Sequence, residues 1–322
     1  MIRRLLSFAI AAALAAPVAA QQPPPPKLVL IISVDQLSSG LFEEYRPQMT
    51  EGLARLASGT VFLSGSGQPA HSNLGDLMKA HSPSSRNVVV SGSEVDAGAS
   101  GGSSVDQRWY WSGARFQSDL KSPVPPVVSK VNSAIASALA QPRPGLEPTP
   151  YCQSKAPSGA QASRLGRAPG DSATLAASPE LDGDTLALAA GLIDQMQLGR
   201  HGSPDLISIS LSATGNVAKA HGVKSEEMCL QLTEVDREIG DFLSLLDSRG
   251  IDYAVALKGS PSEPGGNVPI LFWRPGFEGA TINSAADPSD MVATLAALIE
   301  LPLDQASSNG RCLEGTPAFC PR

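Results

Sequence analysis

The chain has 322 residues, 24 Lys+Arg against 31 Asp+Glu, four Cys and four His, and 42% of it is hydrophobic. That apolar content allows a sizeable core and excludes a disordered chain, while the length fits one large domain or two ordinary ones. A formal net charge of −7 with no basic stripe argues against a nucleic-acid partner.

Arg3 and Arg4 precede an apolar run from Leu5 to Ala16, and Val18-Ala19-Ala20 closes it with small residues. This reads as a secretory signal peptide over 1–20, cleaved near Ala20, with an apolar part too short to anchor the chain in a membrane. The expected location is the periplasm or beyond, and no later segment is long and apolar enough to span a bilayer. Residues 21–26 form a proline-rich leader, and 27–322 read as one domain. Export into an oxidising compartment favours disulfides for Cys152, Cys229, Cys312 and Cys320. Cys312 and Cys320 are close enough to close a small loop, and Cys152 with Cys229 is then the pair left by subtraction.

Leu28 to Val34 is a continuous apolar run that stops at Asp35, the pattern of a buried strand in a parallel sheet. Comparable strands are expected at Thr60–Leu63, Asn87–Ser91, Leu206–Leu211, Tyr253–Leu257 and Val268–Trp273. Helical periodicity appears in Val128, Val131, Ile135 and Leu139, and again from Met228 through Leu232, Val235, Ile239 and Phe242 to Leu246. Two further apolar helices are expected over Thr185–Leu198 and Asp290–Ile299. Strands alternating with helices imply an α/β fold with a mostly parallel sheet covered on both faces. Residues 141–178 are rich in Pro, Gly, Ser and Ala and read as an irregular surface excursion. Ser64–Gly67, Ala97–Ser104 and Lys258–Gly266 read as shortened loops at strand ends, where the active site of such a sheet is normally built.

Several segments carry a resemblance. Ser33-Val34-Asp35-Gln36, Pro69-Ala70-His71-Ser72, Leu74-Gly75-Asp76-Leu77-Met78-Lys79, Val105-Asp106-Gln107-Arg108-Trp109-Tyr110-Trp111, Ser208-Ile209-Ser210-Leu211-Ser212-Ala213-Thr214 and Pro269-Ile270-Leu271-Phe272-Trp273 are similar to bacterial alkaline phosphatases of the sphingomonad type. Those enzymes belong to the branch of the alkaline phosphatase superfamily that includes nucleotide pyrophosphatase/phosphodiesterases. The resemblance implies an alkaline-phosphatase-like α/β/α sandwich. It also implies two metal ions, usually zinc, held by about six Asp and His ligands, and a threonine nucleophile that attacks phosphorus.

Carried over by position, most of that site is absent. Asp35 matches the first metal aspartate, but the nucleophile position is Gly67. Gly215 and Lys219 stand for an Asp-x3-His ligand pair, and Lys258 stands for the final metal histidine. The phosphate-binding Lys-x-Arg reads Ser93-Glu94-Val95. Glycine offers no attacking oxygen, two lysines place positive charge where dications would sit, and Glu94 repels a phosphate dianion unless it points away. The expectation is an exported, catalytically degenerate member with a binding or scaffold role, no cofactor and no identified partner. The alternative is a weak metal-dependent phosphatase acting on phosphate esters, with zinc held by Asp35 and a recruited His71 or His221.

Blander readings stand beside these. Asp35 can instead accept backbone N–H bonds from the turn after its strand. Gly65-x-Gly67-x-x-Ala70 with Glu94 downstream superficially fits a dinucleotide fingerprint, but Pro69 in the turn and a short following helix oppose it. His81 reads as a solvated residue near a helix end. Trp109, Tyr110 and Trp111 are expected to pack on a strand, with a ligand platform as the alternative.

Overall fold

The computed structural model describes residues 24–68, 70, 72–156, 163–261, 263, 265–303, 309–316 and 319–320. The expected signal peptide, the first half of the leader and His71 lie outside these residues.

Side chains of a strand alternate between faces, and the run after the leader is apolar on both. It forms β1 (Leu28–Val34), with Leu28, Leu30, Ile32 and Val34 in one apolar cluster and Val29 in another. Then follow α1 (Ser39–Tyr45), α2 (Gly52–Ala57), β2 (Thr60–Gly65), α3 (Leu74–His81), β3 (Asn87–Ser91), α4 (Glu94–Gly101), β4 (Gln107–Trp111) and β5 (Phe116–Gln117). The central stretch holds α5 (Pro126–Leu139), α6 (Pro150–Gln153), α7 (Ser172–Ala176) and α8 (Pro179–Gln195). The chain continues through β6 (Asp205–Leu211), α9 (Ala213–His221), α10 (Glu226–Ser248), β7 (Tyr253–Gly259), β8 (Val268–Trp273), β9 (Thr281–Ala286) and α11 (Pro288–Leu298).

The strands form one sheet in the order β5-β4-β3-β6-β1-β7-β8-β2-β9. All run the same way except β5 and β8, which pair antiparallel to their neighbours. The reason is chain length: a parallel neighbour needs a crossover of about a dozen residues or more, and the connections before β5 and β8 are shorter. One face is covered by α1, α2, α5, α8, α9 and α10 over the larger apolar cluster. The other carries α3 and α11 over a second cluster and α4 over a third. The result is the expected α/β/α sandwich.

Three expectations change. The segment 141–178 is only partly irregular among the described residues: it contains the short helices α6 and α7, and Arg167 is 5% exposed within it. The Arg167 guanidinium forms a bidentate pair with Glu180 (2.8 and 3.1 Å) and donates to the Ala138, Leu139, Gln141 and Ala168 carbonyls, so one buried cation ties the segment down. The stretch from Ala97 is likewise helical, because Ser93 caps α4 by accepting from the Asp96 amide. Helix α8 starts at Pro179, earlier than its apolar periodicity suggested; Pro at the first turn with Glu180 and Asp182 beside it is a favourable N-terminus. Both cysteine pairs, Cys152–Cys229 and Cys312–Cys320, are bonded as expected.

Candidate functional site

The register of the central strands lines up one polar row on the face beneath α4. Ser33 on β1 pairs with Ser210 on β6 and with Lys258 on β7, and Ser210 pairs with Ser91 on β3. The Ser33 hydroxyl donates to the Ser210 hydroxyl at 3.0 Å, and the Ser100 and Ser210 hydroxyls lie 3.4 Å apart. This row sits at the carboxyl ends of the strands, where sheets of this kind place their ligands.

Asp35 follows directly on β1, and its amide donates to the Leu211 carbonyl at 3.0 Å. Its carboxylate accepts from the Ser260 hydroxyl at 3.3 Å, and Ser260 in turn accepts from the Gln36 amide at 2.9 Å. Asp35 is thus held by a hydroxyl from the β7 end, whereas the turn amides after its own strand bond to main-chain or Ser260 oxygens. Burial pushes the Asp35 carboxyl up to about 6 and the nearby Asp96 carboxylate adds to the push, while Ser260 and the Lys258 ammonium oppose it. Burial pulls Lys258 below the usual lysine range, against the attraction of Asp96 and Asp35. Asp35, Asp96 and Lys258 therefore form one electrostatically coupled group.

Behind this group lies Asp182, fully buried on α8. It accepts from the Ala213 amide at 3.0 Å and from the Gln231 side-chain amide at 2.9 Å. Burial raises it to about 7, and Asp35 contributes to that rise. Neither Asp96 nor Asp182 was singled out from the sequence. The signal for Asp96 was present in the Ser93 cap, which sets the phase of α4 and turns Asp96 inward.

Residues 76–258 match the type I phosphodiesterase / nucleotide pyrophosphatase family, a span of more than half the chain. The chain belongs to this family. It is 35% identical to the alkaline phosphatase PhoK of a Sphingomonas species, over 72% of this chain and 54% of that protein. It is 28% identical to the alkaline phosphatase PhoD of Zymomonas mobilis, over 87% of this chain and 60% of that protein. The chain thus spans little more than half the length of these relatives. Among solved structures, the alkaline phosphatase PafA superposes with a TM-score of 0.75 at 12% identity, covering 92% of this chain and 100% of that one. A protein of the alkaline phosphatase superfamily from Vibrio parahaemolyticus gives 0.53 at 11% identity, covering 90% and 70%. At these identities the structural likeness concerns the fold, and it agrees with the α/β/α sandwich.

The positions singled out by the resemblance fall as follows. Gly67 is exposed just past β2, and a Cβ built on it would lie 2.6 Å from Cγ of Pro261. Gly215 faces Asp35: a Cβ there would lie 2.9 Å from the Asp35 Cβ and 3.1 Å from its Oδ2. Lys258 lies on β7 opposite Ser33 of β1, next to the strand end that carries Asp35, whereas Lys219, one turn beyond Gly215 on α9, is exposed. Ser93 caps α4, Glu94 and Val95 are exposed in its first turn, and Val95 is 80% exposed. The carboxylate that faces the site is therefore Asp96 and not Glu94.

The described histidines stand apart from this group. His221 ends α9 with Nδ1 3.8 Å from the Glu227 carboxylate, and His81 is exposed at the end of α3. Among the described residues no group of three or more His, Cys, Asp or Glu side chains is arranged to hold a metal ion. The dinucleotide-like turn also fails: α3 begins only at Leu74, capped by Asn73, so its N-terminus does not follow the glycines. Trp109, Tyr110 and Trp111 are all buried and pack in the core. Asp76 and Lys79, both in a segment that carried the resemblance, are structural. Asp76 accepts from the Ser103 and Ser104 amides at 2.9 and 2.6 Å, and Lys79 pairs with Asp106 at 2.9 Å.

Proposed function

We propose that this member of the family is an exported protein that does not carry out two-metal phosphoryl transfer and acts by binding. The observation that carries the reading is the placement of Lys258 on β7 opposite Ser33 of β1, next to the strand end from which Asp35 projects. Asp35, which matches a family metal aspartate, has an ammonium for a neighbour where the resemblance calls for a ligand to a dication, and a nearby cation repels a second cation. Gly67 adds to it, because the ring of Pro261 fills the space into which a nucleophilic side chain would extend. The residues present do not fit a pair of zinc ions. Export is supported by the two disulfides, which persist in oxidising compartments, and by the apolar N-terminal run.

The test is metal content by mass spectrometry on protein purified after zinc supplementation, together with hydrolysis of p-nitrophenyl phosphate. The expected result is well under one zinc per chain and no turnover above that of an Asp35→Ala control. Two zinc ions per chain, with turnover abolished in Asp35→Ala, would overturn the reading.

A further inference from the structure

The face of the sheet that carries the polar row is only partly covered, and a cavity of about 330 Å³ opens there beneath α3, α4 and α11. Its floor is β1 and β6, with Ser33 and Ser208; Lys258 enters from β7, and Ile31, Met291 and Val292 form an apolar part. Three of its polar groups are uncommitted. Ser208 is 2% exposed, and its hydroxyl has no hydrogen-bond partner. The buried Ser72 hydroxyl at the rim has none either. Lys258 donates no hydrogen bond and makes no ion pair among the described residues, although it is flanked electrostatically by Asp35 and Asp96. A buried hydroxyl and a half-buried ammonium left unpaired are costly, and a ligand that supplies acceptors removes the cost.

We propose that this cavity binds a small organic monocarboxylate, with one carboxylate oxygen on the Lys258 ammonium, the other on the Ser208 hydroxyl, and the hydrocarbon part against Ile31, Met291 and Val292. The charge balance selects the class. One cation faces the cavity and two carboxylates stand near it, so a single added negative charge is tolerated far better than the two of a phosphate dianion. A neutral ligand would forgo the charge-assisted hydrogen bond that a carboxylate oxygen can accept from the Lys258 ammonium, which donates to no described residue. The Asp76 carboxylate on the lining is already occupied by the Ser103 and Ser104 amides and does not compete for Lys258. The volume lies at the small end for ligand cavities, which suits an acid of one ring or a short chain.

The inference rests on the binding reading above and is tested apart from it. Protein treated with chelator and shown by mass spectrometry to be free of zinc is titrated calorimetrically with hexanoate, benzoate and inorganic phosphate. The expected result is saturable heat with at least one of the two acids, at least tenfold weaker affinity in Lys258→Met, and weaker affinity in Ser208→Ala. Lys258→Gln serves as a second variant, and circular dichroism establishes that each variant is folded. Three results overturn the proposal: no heat from either acid with folded protein, unchanged affinity in both Lys258 variants, or tighter binding of phosphate than of either acid. Zinc found before chelation would overturn the metal-free reading without deciding the carboxylate site.

Discussion

At Gly67 the ring of Pro261 occupies the space into which a side chain would extend. Restoring the family's threonine by Gly67→Thr sets a Cβ 2.6 Å from the proline ring, so the loop must move. Overpacking of this kind costs about 1 kcal/mol or more. We expect Gly67→Thr to lower stability in urea denaturation and to give no hydrolysis of p-nitrophenyl phosphate. The buried carboxyls make a second residue-scale prediction. Burial raises Glu238 to about 9, Asp182 adding to the rise and Arg237 opposing it, and burial raises Asp182 to about 7. Both values lie above those of the unfolded chain, so the folded protein holds more protons than the unfolded one between the two. The stability these groups allow is full at low pH and is lost as pH rises through the folded values. The melting temperature should therefore fall from pH 5 to pH 9, and Glu238→Gln should flatten that decline; an unchanged slope in the variant would count against this origin.

At the scale of elements, α2 depends on α10 for its start. Glu51, at the N-terminus of α2, makes no side-chain cap; instead the Asp236 carboxylate on α10 accepts from the Thr50, Glu51, Leu53 and Ala54 amides at 2.7, 2.9, 2.6 and 3.3 Å. A helix start has several amides with no partner in the helix, and here one buried carboxylate takes four amides at once. Removing it by Asp236→Ala should cost about 3 kcal/mol, read as a lower urea midpoint with far-UV helical signal retained below the transition. Asp236→Asn should cost less, since its carbonyl oxygen still accepts.

For the whole molecule, the two disulfides differ in reach. Cys152–Cys229 spans 77 residues and ties the segment around α6 to α10, whereas Cys312–Cys320 spans only 8. By loop-closure entropy the first stabilises by about 4.5 kcal/mol and the second by about 2.5 kcal/mol. Replacing Cys152 and Cys229 together by alanine should therefore lower the melting temperature more than replacing Cys312 and Cys320. A larger loss from the second pair would show that strain or residual structure in the unfolded chain, and not loop length, sets the order.

The sequence by itself determined the mainly apolar strands β1, β3, β7 and β8, the alternating strand β6, and the long amphipathic helices α5 and α10, because burial on two faces or one leaves a periodicity that needs no partner to be read. It also showed that Asp35 follows a strand, and the resemblance it carries is what singles out Gly67, Gly215 and Lys258. The tertiary structure alone decided which charges meet. Lys258 joins Asp35 because β7 lies beside β1 in register, while Lys219 is carried away one helical turn past Gly215. Asp96 faces inward and Glu94 outward because the Ser93 cap fixes where α4 begins, and a shift of one residue would rotate the helix by about 100°. The cavity over Ser208 has no sequence signature at all, since it is bounded by three helices and three strands far apart in the chain and brought together only by the packing of the sheet.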